Sequence, residues 1–262
     1  MKQPFFNLTL EDLATPSSTS EIPLPSFWAK QALKKVYKEL NTNIEEWNFP
    51  SQWENLLKEK VIFDLFQVVK IQQSNDQTTK FLFGLEDNKS IETVLIPFEN
   101  HYSLCLSTQV GCAFGCTFCF TGKKGLLRNL KTSEIVGQVV HVKKWLLDNK
   151  KTMSKPLTNI MFMGQGEPLH NFDAVKKATQ VFLNPWGLDF APRKVSLSTV
   201  GHVPVLKRWR ELPPINLSVS LHAATDELRN KIMPINKNYN LKELVKTLKD
   251  LSFCGRRKVS FE

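Results

Sequence analysis

A chain of 262 residues, 42% hydrophobic and 23% charged, can bury one sizeable core and still carry a small appended module. No apolar run approaches the roughly 20 residues of a membrane-spanning helix, which excludes a helical membrane protein. The 35 basic and 25 acidic residues leave a net charge of +10, which suits a polyanionic partner or a solvated charged face.

Residues 1–25 open on Met1-Lys2-Gln3-Pro4-Phe5-Phe6, which has neither the apolar core of a signal peptide nor an Arg- and Ser-rich transit composition. The expected address is cytoplasmic, with no membrane partner. The run Thr15-Pro16-Ser17-Ser18-Thr19-Ser20, with Pro23 and Pro25, predicts an irregular lead-in. Ser26 can cap a helix whose Leu33, Val36, Tyr37 and Leu40 share one face. A second helix begins after Pro50, with Trp53, Leu56 and Leu57 inward. Residues 1–60 thus form a small helical module. Residues 61–71, 80–85 and 91–96 are rich in Ile, Val and Phe between Asn/Asp turns, so 61–102 is read as a strand meander leading into the main domain.

From Ser103 to the last residue, strands alternate with helices. The strand candidates are 103–107, 158–163, 194–199, 215–221 and 257–261, and the helix candidates are 132–148, 171–183, 202–210 and 240–252. The fold class is α/β, a partial (β/α) barrel over 103–262. In such folds chemistry sits at the carboxyl ends of the strands.

Three of the five cysteines, Cys112, Cys116 and Cys119, lie within eight residues on a loop after the first core strand. This is metal-ligand spacing and not a disulfide framework. Three thiolates with no nearby fourth leave one iron of a [4Fe-4S] cluster open, and S-adenosylmethionine (SAM) can occupy it through its amino and carboxylate groups. The alternatives are a chance cluster of buried cysteines or a structural zinc site, which wants four N/S ligands, usually as two separated pairs. Phe118, beside the last of these cysteines, can simply pack in the core. Basic residues recur at Lys123, Lys124, Arg128 and Lys131, at Arg193 and Lys194, at Lys207, Arg208 and Arg210, and at Arg256, Arg257 and Lys258. Those flanking the cysteine loop are candidates for contact with a polyanion.

The run from Cys105 to Gly122, then Arg128-Asn129-Leu130 and Glu134-Ile135-Val136-Gly137-Gln138, resembles the RlmN/Cfr family of radical SAM RNA methyltransferases. Phe162-Met163-Gly164-Gln165-Gly166-Glu167-Pro168-Leu169 and Ser220-Leu221-His222-Ala223 carry the same resemblance, which extends from Phe27 to the last residue and is strongest to the RlmN branch. It implies methylation of C2 of an adenine in 23S rRNA and tRNA, with a [4Fe-4S] cluster, SAM and an electron donor such as flavodoxin or ferredoxin. Two other readings stay open: a Cfr-like C8 methyltransferase, and a non-methylating RNA-binding remnant that keeps the cluster.

By position, the resemblance makes Gly166 and Glu167 the backbone and carboxylate that hold the SAM amino group. Phe118 comes to lie beside the SAM adenine, Ser198, Ser220, Leu221 and His222 become further SAM contacts, Glu92 a proton acceptor, and Cys105 the thiol that resolves a protein–RNA adduct. Taken alone, the serines are strand-end hydroxyls, His222 a core histidine and Glu92 an edge-strand carboxylate facing water. The family's methyl-carrying cysteine belongs to a downstream segment not matched here, and Cys254 does not fit its setting. The expectation is that a second chain completes the enzyme, or that this is a shortened form that cleaves SAM without methylating RNA.

Overall fold

Residues 2–14, 22–63, 66–149, 155–251 and 259–262 are described by a computed structural model. The chain starts with β1 (Gln3–Pro4), a 3-10 turn at Phe5–Asn7 and helix α1 (Leu10–Ala14). Thr9 and Asp12 cap α1 reciprocally: Thr9 N donates to Asp12 Oδ2 (2.8 Å) and Asp12 N to Thr9 Oγ1 (3.2 Å). Phe5, Phe6 and Leu13 are buried. The irregular lead-in expected over 1–25 is therefore corrected for residues 3–14, where two aromatic anchors and a capping pair outweigh the unstructured look of the Ser/Thr/Pro run beside them. Residues 15–21 lie outside the described residues.

Helix α2 (Ser26–Tyr37) buries Leu33, Val36 and Tyr37 as the spacing requires. Its N-cap is Pro25 and not Ser26, and no side chain caps it. Leu40 lies past the helix in left-handed backbone (φ 52°). Helix α3 (Ser51–Lys60) buries Leu57, with Trp53 and Leu56 half-buried against the core. Strand β2 (Val61–Ile62) pairs parallel with β1. The expected strand over 61–71 is thus two pieces in two sheets, because Val61 packs with the aromatic N-terminal cluster while β3 (Gln67–Gln73) is exposed throughout.

Strands β4 (Thr79–Gly84), β5 (Ser90–Pro97) and β6 (Tyr102–Cys105) come next, then the ribbon of β7 (Gln109–Gly111) and β8 (Leu126–Asn129), with the short helix α4 (Phe120–Lys123) between its strands. Helix α5 (Thr132–Asp148) leads to β9 (Leu157–Phe162), α6 (Phe172–Leu183) to β10 (Val195–Thr199), and α7 (Val203–Leu206) to β11 (Asn216–Val219). Helices α8 (Asp226–Ile232) and α9 (Leu241–Asp250) precede β12 (Val259–Phe261).

Eight strands form one sheet in the order β12-β11-β10-β9-β6-β5-β4-β3. From β3 to β6 the pairing is antiparallel, and from β6 to β12 parallel. The meander therefore continues the core sheet. The parallel half, with helices between its strands, is the expected partial barrel. Alternate residues sort its faces. Leu104, Ile160, Phe162, Leu197 and Leu217 join Ile135 and Val139 of α5 and Val175 and Phe182 of α6 in one apolar core. Cys105, Met161, Ser196 and Ser198 stand on the other, inner face, only partly buried.

The expected helix over 202–210 is broken into α7 and a 3-10 turn at Trp209–Glu211. Helix α8 and the 3-10 turn after it, at Pro234–Lys237, were not expected at all; Thr225 caps α8 by accepting from Leu228 N. No helix among the described residues is long and apolar enough to cross a membrane.

Candidate active site

The cysteine loop is the closed end of the β7–β8 ribbon. Gly111 makes that closure possible: its φ is +80° and a Cβ there would lie 1.9 Å from the Gly125 carbonyl oxygen, to which Cys112 N donates (3.0 Å). Cys119 N donates to Cys116 O (3.0 Å) and Lys123 N to Cys119 O (3.2 Å), turning the loop into α4.

Cys112, Cys116 and Cys119 face a cavity of about 220 Å³ at the carboxyl ends of the parallel strands. Phe118, Gly166, Glu167, Ser198, Ser220 and His222 line it too. The folded chain thus gathers nine of the residues singled out in the sequence, from loops up to about a hundred positions apart. His222 is exposed, in left-handed backbone (φ 55°), with the Phe118 ring edge-on at 4.9 Å; it is not a core histidine. Leu221 is absent from the lining and acts through its backbone, its N donating to Glu262 O (3.0 Å).

Glu167 is 2% exposed. Leu169 N donates to its Oε1 (3.0 Å) and Val200 N to its Oε2 (2.9 Å), so it fastens the end of β10 to the turn after β9. Burial pushes its carboxyl up to about 7, against the pull of these backbone donors and of the Thr199 hydroxyl. No described cation pairs with it, and a carboxylate accepts more than two donors. Gly166 before it has φ +94°, and a Cβ would lie 2.4 Å from Cβ of Gln109.

Three buried amides that sequence reasoning passed over hold this frame. Gln109 Oε1 accepts from Glu167 N (2.8 Å), and its Nε2 donates to Asn129 Oδ1 (2.7 Å). Gln138, fully buried on α5, accepts from Thr93 Oγ1 (2.7 Å) and Ser107 N (2.9 Å) and donates to Ser107 O (2.9 Å). Asn171 Nδ2 donates to Thr108 O and Leu130 O (both 2.8 Å). The only signal available was polar residues inside apolar stretches, which does not name their partners.

Cys105 and Glu92 stand outside the cavity lining, and only Cys105 touches a cavity residue. Cys105 pairs with Val94 across β5 and β6, so Glu92, two residues from Val94, shares its face as a diagonal neighbour, roughly 7–8 Å away backbone to backbone. Burial pushes the Cys105 thiol up to about 11, opposed by a hydrogen bond from the backbone of Met163, a cavity residue. Glu92 pairs with Lys80 at 3.0 Å. Its strand is internal to the sheet, which corrects the edge-strand reading.

Arg128, expected to contact RNA, has a structural engagement of its own. Its guanidinium is spent on Asp87 and on a two-pronged contact to Glu134 (both prongs 2.8 Å). Arg208 is likewise paired, with Glu211 and Asp173, whereas Lys123 and Lys124 are exposed. Cys254, Arg256, Arg257 and Lys258 lie outside the described residues.

The sequence pattern of the radical SAM superfamily matches residues 106–260. A dual-specificity RNA methyltransferase RlmN of Syntrophobacter fumaroxidans is 42% identical over 90% of the chain and 68% of its own length. The chain belongs to the radical SAM superfamily, in its RlmN family. The corresponding RlmN of Pelobacter propionicus is 43% identical over 90% of the chain and 66% of its own length, so this radical SAM chain spans about two thirds of the length of these curated relatives. Among solved structures, a radical SAM methyltransferase from Sphaerobacter thermophilus matches 99% of the chain and 75% of its own, with a TM-score of 0.84 and 32% identity.

The cofactors of this family are a [4Fe-4S] cluster and SAM, and the residues present fit both. The three thiols line one cavity, and three thiolates without a second Cys/His pair suit a cluster with one open iron better than a four-ligand structural zinc. Across the cavity, a buried carboxylate without a cation and two short hydroxyls are the complement of an amino acid's ammonium and a ribose.

Proposed function

We propose that the chain is a radical SAM RNA methyltransferase acting on C2 of adenine in 23S rRNA and tRNA. The observation that carries this reading is the coincidence of RlmN-level identity across nine-tenths of the chain with a cavity that collects the cysteines and Glu167. In this reading Cys112, Cys116 and Cys119 hold the cluster, and Glu167 with the Gly166 backbone receives the SAM ammonium. Phe118, Ser198, Ser220, Leu221 and His222 flank the nucleoside. When bound and reduced by a flavodoxin- or ferredoxin-type donor, the cluster and SAM supply radical chemistry that an unreactive aromatic C–H carbon requires.

The chain's own residues set the protons. Cys105 is a neutral thiol at physiological pH, held by the Met163 backbone. Glu92, on the same face, is the acceptor for the proton that C2 gives up. Lys123 and Lys124 at the loop rim attract the RNA backbone, and residues 1–60 are the module that grips the folded RNA, in the cytoplasm where such RNA resides. Mass spectrometry of adenines in rRNA and tRNA from cells with and without the gene tests the reading. Loss of 2-methyladenine on deletion supports it, loss of 8-methyladenine moves the target atom, and no change in any adenine contradicts it.

A further inference from the structure

Arg229, 1% exposed, is the largest of the fully buried side chains among the described residues. Its guanidinium donates from Nε to Leu221 O (3.1 Å), from Nη2 to Val200 O (2.8 Å) and Ser220 O (3.1 Å), and from Nη1 to Asn236 Oδ1 (2.8 Å). All four acceptors are neutral, and no described carboxylate is in ion-pair contact with it. Asp226 is one step removed, accepting from Asn236 Nδ2 (2.8 Å) and Leu241 N (2.9 Å).

Hydrogen bonds to carbonyls satisfy the donors of a buried guanidinium but leave its charge uncompensated, and a buried charge is costly unless another charge answers it. Two facts locate the answering charge. The three carbonyls belong to the segments just after β10 and β11 that carry Val200, Ser220 and His222 of the cavity. The α8 segment also packs on the cysteine loop: Thr117 N donates to Ile232 O (3.0 Å), and Met233 and Ile235 form an apolar cluster with Cys116. Met233 N in turn donates to Arg229 O (2.7 Å), so the residue that packs on Cys116 is hydrogen-bonded to the Arg229 backbone.

We propose that Arg229 is a positioning residue that ties the two strand ends together and serves as the fixed countercharge of the thiolate-held cluster, easing its one-electron reduction. Each reduction takes one electron from an external low-potential donor and adds one negative charge with no proton to balance it, so a standing positive charge nearby favours the reduced state. The inference rests on the cluster reading.

The test is a mediator-coupled redox titration of the anaerobically reconstituted full chain, monitored by electron paramagnetic resonance, with dithionite as the electron source. Arg229→Gln should lower the midpoint by a tenfold change in the reduction equilibrium, about 59 mV for one electron. Arg229→Lys keeps the charge but not the fork, so it should hold the midpoint near wild type while weakening SAM binding in equilibrium dialysis. A third variant keeps Arg229 and the net charge but exchanges Asp226→Asn with Asn236→Asp, bringing a carboxylate onto the guanidinium. It should lower the midpoint in the same direction as Arg229→Gln, and it decides the matter if Arg229→Gln does not fold. Wild-type midpoints in the variants that load iron would overturn the inference and leave Arg229 a structural strut. Failure of the wild-type chain itself to take up iron would instead overturn the cluster reading, and this inference with it.

Discussion

Replacing Glu167 with Gln separates the charge of the buried carboxyl from its shape. In the cluster-free chain the carboxyl titrates near 7 when folded, against an ordinary value of 4.5. Between those values the folded state holds a proton that the unfolded state has released, so the Glu167 contribution to stability falls as pH rises through that window and levels off above it; His141 and His202, whose burial lowers their pKa, act in the opposite sense but equally in both proteins. The gap corresponds to at most about 3 kcal/mol. Burial pushes Cys105 and Cys116 to about 11 and raises Cys112 as well, so none of these thiols adds to the slope below pH 8. The substituted glutamine cannot ionise, but its amide turns one N–H toward a backbone donor, Leu169 N or Val200 N, at a cost of about 1–3 kcal/mol. Urea unfolding of the cluster-free proteins under anaerobic, reducing conditions should therefore show the variant less stable at pH 5, with the gap closing or reversing by pH 8. Parallel pH profiles for the two proteins would refute the assignment of the slope to Glu167. In the loaded protein the same substitution should weaken SAM binding, because an ammonium loses its charged acceptor.

Gly166→Ala should lose on the order of 2–4 kcal/mol, from a left-handed backbone and a Cβ driven into Gln109; a fall in thermal midpoint with reduced iron uptake would bear this out, and a neutral substitution would not. Gln138→Leu strands the N–H and C=O of Ser107, so equilibrium unfolding should show a loss of about 2–5 kcal/mol, the desolvation cost of those groups. Reversing Lys123 and Lys124 to Glu should weaken RNA binding and lower the salt slope by about 0.7–0.9 for each phosphate that is no longer neutralised. Arg128→Glu should instead damage folding, because it breaks the pairs to Asp87 and Glu134. Equal effects of all three substitutions on RNA affinity, with stability untouched, would contradict that division.

The three cysteines stood out because ligands of one metal centre lie close together in a loop, a spacing that survives in one dimension. Gly166, Glu167, Ser198, Ser220 and His222 came only from the family resemblance, and the fold gathers them around the same cavity. Helices α5 and α9 were legible from their 3.6-residue patterns, and observed bounds fall within two residues of those expected. What stayed hidden depends on partners distant in sequence. Helix α8 has only seven residues, too few for periodicity to show. Arg229 carried no signal in the sequence, because the Val200, Ser220 and Leu221 carbonyls it binds are backbone groups. Arg128 looked free for RNA because Asp87, 41 residues earlier, could not be known to reach it. The N-terminal turn at Phe5–Asn7 was masked by the Ser/Thr/Pro composition after it.

The central claim is that Cys112, Cys116 and Cys119 hold a cluster beside a SAM site anchored by Glu167. The most direct measurement is the formation of 5′-deoxyadenosine from SAM by the anaerobically reconstituted chain after reduction with dithionite, with iron and sulfide determined on the same sample. The account predicts about four irons and four sulfides per chain, 5′-deoxyadenosine in the wild type, and neither cluster nor product when Cys116 is replaced by Ala. Tight stoichiometric zinc with no iron uptake, or SAM cleavage that survives loss of the three cysteines, would contradict it.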